Sequence, residues 1–449
     1  MRKKIVLGFF VILLVAIYAF LSAAFPIISG YGAKNLCSHV FISGRDAQDV
    51  IAKELGNLPL SLGSFKIDTE DRSASATVWG MAKKKAIFRP GLGCTLINAV
   101  KEEDLRAESF DPPQFPYGKD TMAWPVGDVL IDSLINPKVQ NAIAKSFEEP
   151  LPDAPRYTRG VVVVHKGELV AEQYSADYDY ETPQLSWSMA KSVTNTLIGL
   201  LVNDGKIDIY DPAPVAAWKK KSDPRSAITT DHLLRMSSGL DWSENYALPS
   251  GATNMLFKDA SMATTAASVG LAYPPDSVWY YSSGTTNILS EIVRKTVGNE
   301  EYWKFPYERL FNKIGISTAV WEPDASGTFV GSSYLWMSPR DYARFGLLYL
   351  QDGIWNDERI LPEGWVDYSS APTPAAPNGI YGAQFWRNGF ESSAYPDVPE
   401  DAYLANGYEG QRIMIIPSKE LVIVRLGFTA TDDFDMNTLA KDVIAAINE

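Results

Sequence analysis

The pattern of hydrophobic and polar positions opens with a long uncharged run near the N-terminus. Three basic residues, Arg2-Lys3-Lys4, are followed by a segment without a charge from Ile5 to Phe25. A helix of this length can cross a bilayer, and positive residues before it hold that end in the cytoplasm. The pattern predicts that residues 1–25 are a transmembrane anchor and that the rest is exported. A cleavable signal peptide is the alternative, because Ser22-Ala23-Ala24 places small residues where a peptidase cuts.

The next region, residues 26–124, mixes helical and strand patterns. Apolar positions in residues 46–55 have helical spacing, and residues 73–79 alternate as a half-buried strand does. A proline-rich stretch over residues 111–125 has the composition of a linker, or of a strap over the following domain. These patterns predict an N-terminal accessory region over residues 26–124, in which we find no catalytic motif.

The remaining residues, 125–449, have strand patterns at both ends and helical patterns between them. Two hairpins are predicted, each from a pair of apolar runs separated by a turn. The first pairs residues 161–165 with 169–174, and the second pairs residues 412–416 with 421–425. Residues 435–448 return to helical periodicity. We therefore predict an α+β domain whose antiparallel sheet is built from both ends of the domain, is flanked by helices, and is interrupted by a mostly helical insertion.

Composition narrows the class of protein. Of 449 residues, 46% are hydrophobic and 21% are charged, which is typical of a globular protein. A net charge of −13 argues against a nucleic-acid partner. Both cysteines, Cys37 and Cys94, lie in the exported part, where an even number of cysteines predicts a disulfide. No cluster of His, Asp and Cys has the spacing of metal ligands, so no metal site is predicted.

The candidate chemistry centres on Ser188, the one serine that is followed three residues later by a lysine, Lys191. Residues three apart share a helix face, so this hydroxyl and amine can come within hydrogen-bond distance. Burial and the positive end of the helix both disfavour the ammonium form of Lys191, and a neutral amine can accept the serine proton. Such a pair needs no histidine, and the chain has only His39, His165 and His232. A chance pattern, with the serine as a helix cap, is the alternative.

Further motifs follow in order along the chain. Ser188-Met-Ala-Lys191 is followed by residues 230–240, which end in Ser-Gly-Leu, and by residues 274–284, which end in Tyr-Tyr-Ser-Ser-Gly. In this order they resemble the serine beta-lactamase and penicillin-binding protein superfamily, in its class C, D-alanyl-D-alanine carboxypeptidase and esterase branch. Residues 242–246 and 338–365 are similar to the 6-aminohexanoate-dimer hydrolase type, whose members cleave linear amides or carboxylic esters. The resemblance implies a beta-lactamase/transpeptidase-like fold.

The resemblance also implies roles for three further side chains. Tyr281 matches the tyrosine of the second motif, where a nearby Lys191 ammonium would favour its ionised form and let it exchange protons with Ser188 or the leaving group. Ser283 stands where the family often has Asn and is a candidate substrate-binding residue, and Tyr246 matches a substrate-contacting tyrosine of the amide-hydrolase group. Without the resemblance, a tyrosine in an aromatic run is most often core packing.

The third motif of the family is Lys-Thr-Gly or His-x-Gly, and the aligned residues here are Tyr408-Glu409-Gly410. The cationic or imidazole residue is therefore missing. The glycine is kept, and its lack of a side chain would let substrate lie along the strand. We expect the backbone N–H of Gln411, together with that of Ser188, to form an oxyanion hole. A plain strand glycine is the alternative for Gly410.

Together these features predict a membrane-anchored serine hydrolase that acts through an acyl-enzyme on a linear amide or carboxylic ester, without a cofactor. Its catalytic domain would lie on the periplasmic or extracellular side. Beta-lactamase or D-alanyl-D-alanine carboxypeptidase activity is the alternative reaction, and a catalytically silent binding protein of the same fold is the alternative class. The predicted partners are a small-molecule substrate and the membrane.

Overall fold

The computed structural model describes residues 2–149, 155–247, 249–389, 394–429 and 434–448. The α-helices in these ranges are α1 (Arg2–Phe41), α2 (Ala47–Lys53), α3 (Glu102–Ala107), α4 (Pro137–Ala144), α5 (Ala190–Asn203), α6 (Thr230–Leu234), α7 (Gly251–Lys258), α8 (Met262–Ser268), α9 (Ser283–Val297), α10 (Asn299–Tyr302), α11 (Pro339–Leu350), α12 (Trp365–Ser370) and α13 (Met436–Asn448). The strands are β1 (Gly63–Asp68), β2 (Ser73–Val78), β3 (Met81–Arg89), β4 (Gly93–Leu96), β5 (Thr158–His165), β6 (Glu168–Tyr174), β7 (Gln184–Leu185), β8 (Val320–Trp321), β9 (Leu335–Met337), β10 (Ile354–Trp355), β11 (Glu358–Arg359), β12 (Trp386–Arg387), β13 (Tyr403–Gly407), β14 (Gln411–Ile416) and β15 (Leu421–Gly427).

The N-terminal part is an antiparallel sheet in the order β1-β2-β3-β4, packed on the second half of α1. Ala74, Ala76 and Val78 alternate along β2 and are all buried, as expected for one covered face of a sheet. Cys37 of α1 is bonded to Cys94 of β4, which confirms the predicted disulfide. Closing a loop of 57 residues stabilises the fold by about 4 kcal/mol on the chain-entropy model.

α1 continues past the uncharged run to Phe41 as a single helix. Two glycines let its second half pack closely on its neighbours. A Cβ on Gly30 would lie 2.9 Å from Phe257 of α7. One on Gly32 would lie 2.1 Å from the ring of Phe65 in β1. The predicted anchor is therefore joined to the folded part of the protein without a linker.

The main sheet has six antiparallel strands in the order β12-β13-β14-β15-β5-β6. β5, from the start of the domain, pairs with β15, from its end, so the prediction of one sheet built from both ends is confirmed. The predicted hairpins are β5–β6 and β14–β15. Val161 and Val163 face the core beneath α4 and α13, whereas Val162 and Val164 face the core beneath α11. A strand covered on both faces explains the unbroken valine run.

The helical insertion follows β7 and surrounds α5. All residues of α5 from Ala190 to Leu201 are buried, which is the pattern of a central core helix. α9 packs beside α5. A small sheet of β7, β9 and β8 lies next to the N-terminus of α5. The predicted α+β class is therefore confirmed, and the start of α5 lies where the main sheet meets the helical insertion.

Candidate active site

Ser188 lies in a 3-10 turn, Trp187–Met189, that leads from β7 into α5. Trp187 has a φ of 44°, in the left-handed region that bulky residues seldom adopt. Its indole N–H donates to Glu409 Oε2 at 2.8 Å, and its ring stacks on that of Tyr31 in α1 with centroids 6.1 Å apart. These contacts hold the turn in place and present Ser188, half-buried, at the start of α5.

Lys191 is buried in α5, one turn after Ser188. Its Nζ lies 3.0 Å from Ser188 Oγ, 3.0 Å from Ser283 Oγ and 3.1 Å from the carbonyl oxygen of Ser332. Burial lowers the pKa of Lys191 to about 8, because the ammonium loses its hydration, while the Glu244 carboxylate acts in the opposite direction. At pH 7, one unit below that value, about a tenth of this amine is free base and can act as the general base that a serine requires.

Tyr281 lies beside the same amine. Lys191 Nζ is 4.8 Å from the centroid of the Tyr281 ring. That ring also packs against Trp386 and Tyr381, with centroids 5.4 Å and 6.0 Å away. Tyr281 is therefore part of an aromatic cluster, as an aromatic run in the sequence suggests, and it is also a neighbour of Lys191, as the family resemblance implies.

Glu244 is a site residue to which the sequence analysis assigned no role. Its Oε1 accepts hydrogen bonds from Ser283 Oγ at 2.5 Å and Tyr246 Oη at 2.7 Å. Its Oε2 accepts from the Trp242 indole at 2.6 Å. The backbone N–H of Ser283, in the first turn of α9, donates to both oxygens at 3.0 Å, where the helix dipole favours a negative charge. Glu244 is therefore linked to Lys191 through Ser283.

Tyr246 and Ser283, both predicted to contact substrate, meet in this polar network. Tyr246 Oη is 3.1 Å from Ser283 Oγ. Burial of the hydroxyl and the charge of Glu244 raise the pKa of Tyr246 well above its usual value, so the phenol stays neutral and can donate. Because 54% of the Tyr246 surface is exposed, its ring forms part of the outer wall of the site.

The predicted third motif, Tyr408–Gly410, is a 3-10 turn between β13 and β14. A Cβ on Gly410 would lie 2.5 Å from the guanidinium of Arg425. Protein therefore fills the space beside Gly410, which differs from the expectation that substrate lies along it. The N–H of Gln411 donates to the carbonyl oxygen of Tyr408, so it closes the turn instead of serving as the expected oxyanion donor.

Gly407, at the end of β13, is the glycine that approaches the nucleophile turn. A Cβ on Gly407 would lie 2.1 Å from the carbonyl oxygen of Ser186. Its φ of −119° is ordinary extended backbone, so close approach, and not backbone conformation, requires a glycine here. The sequence analysis assigned the motif glycine to Gly410, three residues later.

The side of the site formed by β13 and the turn after it lacks the cation of the family motif. With Gly407 as the motif glycine, the cationic position falls on Ala405, and Tyr408, which follows the glycine, is half exposed with its ring edge-on to Trp187 and centroids 5.8 Å apart. Glu409 is buried with its carboxylate against the Trp187 indole. Arg412 donates to two backbone carbonyl oxygens of the turn at 2.7 Å and 2.9 Å. No cation therefore stands at this position of the motif, and the exposed side chain next to the motif glycine is a neutral phenol.

Comparison with known proteins bears on the fold and the family. The sequence profile of the beta-lactamase family matches residues 146–446. A 6-aminohexanoate-dimer hydrolase of Paenarthrobacter ureafaciens is 24% identical over 295 residues, which are 60% of this chain and 72% of that protein. A candidate 6-aminohexanoate-dimer hydrolase from Bacillus anthracis is 26% identical, with a TM-score of 0.55 over 65% of this chain and 79% of that one. A penicillin-binding protein homologue from Caulobacter crescentus, 15% identical, shares the fold with a TM-score of 0.55 over 70% of this chain and 98% of its own.

Proposed function

Because the chain belongs to the beta-lactamase family, we propose that it is an exported serine hydrolase that acts through an acyl-enzyme on a linear amide or carboxylic ester. One observation carries the proposal: Lys191 Nζ lies 3.0 Å from Ser188 Oγ, and the pKa of this buried lysine is lowered to about 8. A base whose pKa lies near the working pH combines a useful free-base fraction with enough basicity to take a proton.

In the acylation step, the neutral amine of Lys191 takes the hydroxyl proton of Ser188 while Oγ attacks the substrate carbonyl carbon. The carbonyl oxygen becomes an oxyanion, which needs two preorganised N–H donors. We assign these to Ser188 and to Tyr408, the residue after Gly407. This assignment replaces Gln411, and the contact of Gly407 with Ser186, next to the nucleophile turn, supports it.

Collapse of the tetrahedral intermediate expels an amine or alcohol that must receive a proton. Tyr281, beside the Lys191 amine, is our candidate donor, and Lys191 restores its proton. Water then attacks the acyl-enzyme, its proton passes to Lys191, and Lys191 gives that proton to Ser188 Oγ as the acid product leaves. Ser283 and Glu244 hold the Lys191 amine in place through the hydrogen bonds described above.

The polar groups of the site support a preference for substrates without a carboxylate near the scissile bond. Tyr408 offers only a neutral hydroxyl, and two carboxylates, the partly exposed Glu244 and the buried Glu409, lie close to the nucleophile turn and its lysine. The activity named for the Paenarthrobacter and Bacillus proteins, hydrolysis of a linear amide dimer, supports the same class. Beta-lactamase or D-alanyl-D-alanine carboxypeptidase activity is the alternative that this charge pattern disfavours.

A fluorophosphonate probe tests the nucleophile directly and separates an enzyme from a silent binding protein. We expect the wild-type protein to be labelled and the Ser188→Ala variant not to be. Ser186→Ala, two residues before Ser188 and next to the same turn, is the matched control and should keep the label. Equal labelling of wild type and Ser188→Ala, or no labelling of either, contradicts the proposal. A hydrolysis screen with short amides, p-nitrophenyl esters and nitrocefin then assigns the substrate class.

We also propose that α1 anchors the protein in the membrane. The helix is long and apolar enough to cross a bilayer, and its side chains from Phe9 to Phe20 are exposed. Phe25 and Ile28 are buried in the accessory region, so cleavage after Ala24 would leave the folded part intact. Membrane fractionation and intact mass distinguish the two forms: the anchor predicts a membrane-bound chain that retains residues 1–25.

A further inference from the structure

Three large apolar side chains are exposed where α1 enters the folded part of the protein. They are Leu58, Trp79 and Met81, with exposed fractions of 77%, 61% and 52%. Trp79 lies at the turn of the β2–β3 hairpin, Met81 is the first residue of β3, and Leu58 lies in the loop before β1. We call these three residues the tip patch. A cluster of exposed apolar side chains on a folded surface marks an interaction site.

The tip patch lies beside α1 at a defined level of that helix. Each patch residue is one or two positions from a residue that packs in the small core around Phe25 and Ile28, which includes Leu60, Val78 and Ala82. The ring of Trp79 is edge-on to that of Phe25, with centroids 5.1 Å apart. The patch is therefore level with Phe25.

Phe25 is also where the exposed apolar surface of α1 ends. From Phe9 to Phe20 the large side chains of α1 are exposed, and burial against the protein begins at Leu21. The tip patch is thus continuous with the apolar surface of the segment that we propose spans the bilayer. This continuity identifies lipid as the material that covers both.

We propose that the tip patch enters the interfacial layer of the bilayer that α1 spans. Tryptophan is enriched at this depth, because its ring is apolar and its N–H is polar. Leu58 and Met81 extend the apolar contact on either side of Trp79. Lys83, exposed two positions after Met81 on β3, has a flexible stem that lets its ammonium reach lipid phosphates. The proposal rests on retention of α1 and not on the catalytic mechanism.

A second membrane contact changes what the anchor does. A single helix leaves the folded part free to tilt relative to the membrane plane, whereas a helix and an adjacent hairpin tip in the interface restrict that tilt. Trp187, which precedes the nucleophile, contacts Tyr31 of the same helix. The tip patch therefore restricts the orientation of the catalytic turn above the lipid surface.

The test measures the depth in the bilayer of two positions that lie at opposite ends of β2. Trp79→Cys and Thr69→Cys are made separately in the full chain, in which Cys37 and Cys94 are bonded to each other. Each new thiol is labelled with bimane, and the protein is reconstituted in phosphatidylcholine vesicles with or without bromine atoms on the acyl chains near the headgroups. Thr69 lies in the turn at the opposite end of β2, which is about 20 Å away at strand spacing.

We expect the label at position 79 to lose roughly half of its fluorescence in brominated vesicles, since interfacial groups sit about 5–10 Å into the headgroup and acyl boundary. The label at position 69 should be unchanged. Met81→Cys is a second reporter, should the change at Trp79 disturb the tip. Intact mass selects protein that retains residues 1–25, and adding Ser188→Ala should leave the quenching as it was. Equal signals at positions 69, 79 and 81 would overturn the proposal.

Discussion

The two sides of Ser188 are built from different kinds of group. On the Lys191 side, side chains that carry protons are linked in sequence. Lys191 contacts Ser283, which contacts Glu244, which contacts Tyr246, and each step joins polar atoms 2.5–3.0 Å apart. Because a change of charge on one member acts on its neighbours, this side can set the pKa of the base and move protons.

The β13 side is defined by backbone and shape. Gly407 contacts Ser186 with no room for a methyl group, and the nearby acid, Glu409, is buried against the Trp187 indole. A backbone N–H has one fixed direction and does not titrate, which suits it to holding an oxyanion. In the proposed mechanism, the Lys191 side therefore governs when Ser188 reacts, and the β13 side governs where the substrate carbonyl lies.

The largest expected effect comes from removing the reacting pair itself. Ser188→Ala should lose essentially all turnover, and Lys191→Ala should lose at least about 100-fold in kcat, the usual contribution of a positioned general base. Steady-state kinetics on the substrate found in the screen measures both. Wild-type acylation by the Lys191→Ala variant would show that another group is the base.

The β13 side is tested by a matched pair of glycines. Gly407→Ala should lower kcat by roughly 100-fold, the typical effect of a displaced oxyanion donor, because the new Cβ pushes the strand away from Ser186. Gly410→Ala should instead lower stability, since a left-handed backbone costs an alanine about 1–2 kcal/mol, with a smaller effect on kcat. Thermal unfolding and kinetics of both variants are compared. The reverse ranking in kcat would return the third motif to Gly410.

The missing cation predicts poor use of beta-lactams. A charge-assisted hydrogen bond to a substrate carboxylate contributes about 1.5–3 kcal/mol, and Tyr408 offers a neutral hydroxyl instead. We expect kcat/KM for nitrocefin to be at least about tenfold below that for a short-chain p-nitrophenyl ester. An equal or higher value for nitrocefin would mean that another cation, such as Arg412, takes this role, and would favour the beta-lactamase alternative.

The Lys191 side predicts the pH dependence. The base works when it is deprotonated, so kcat/KM should rise with pH through an apparent pKa of about 8. At pH 7, one unit below that value, the rate should be about tenfold below its plateau. A pH profile of the wild-type enzyme checks this, and a flat profile between pH 6 and pH 9 would exclude Lys191 as the base that limits the rate.

The smallest expected effect is a shift of the pH profile, which distinguishes Glu244 from Glu409. The Glu244 carboxylate raises the pKa of Lys191, so Glu244→Gln should lower that pKa and move the acid limb of the profile to lower pH. Glu409→Gln is the matched control and should leave the limb in place, because Glu409 is not among the charges that act on Lys191. An unmoved limb in Glu244→Gln, or equal movement in both variants, would contradict the division between the two sides.

Features with local causes were predictable from the sequence. The hairpins β5–β6 and β14–β15 follow from apolar runs around turns, and α13 follows from helical periodicity. The contact between Ser188 and Lys191 depends only on helix spacing. The N-terminal helix was predicted only over residues 1–25, as an apolar membrane segment, and its continuation to Phe41 depends on packing against the accessory sheet.

The remaining site features depend on contacts between distant segments. Glu244 reaches Ser283 only because the loop that carries it folds over the start of α9, 39 residues later in the chain. In the sequence, Glu244 lies between Trp242 and Tyr246. This pattern gave only a weak indication of a site residue, because an acid in a loop is usually exposed to solvent. Gly407 and Gly410 were equally compatible with the motif, and only the positions of Ser186 and Arg425 separate them.

The stacking of Tyr31 on Trp187 sets a distance between the bilayer and the catalytic turn. Tyr31 lies six residues beyond Phe25, so with a rise of 1.5 Å per residue it stands about 9 Å further along the helix axis. That distance is close to the Debye length of about 8 Å at physiological ionic strength. With α1 in a bilayer, as proposed, anionic headgroups would therefore act on the catalytic turn as a weak, salt-dependent negative potential.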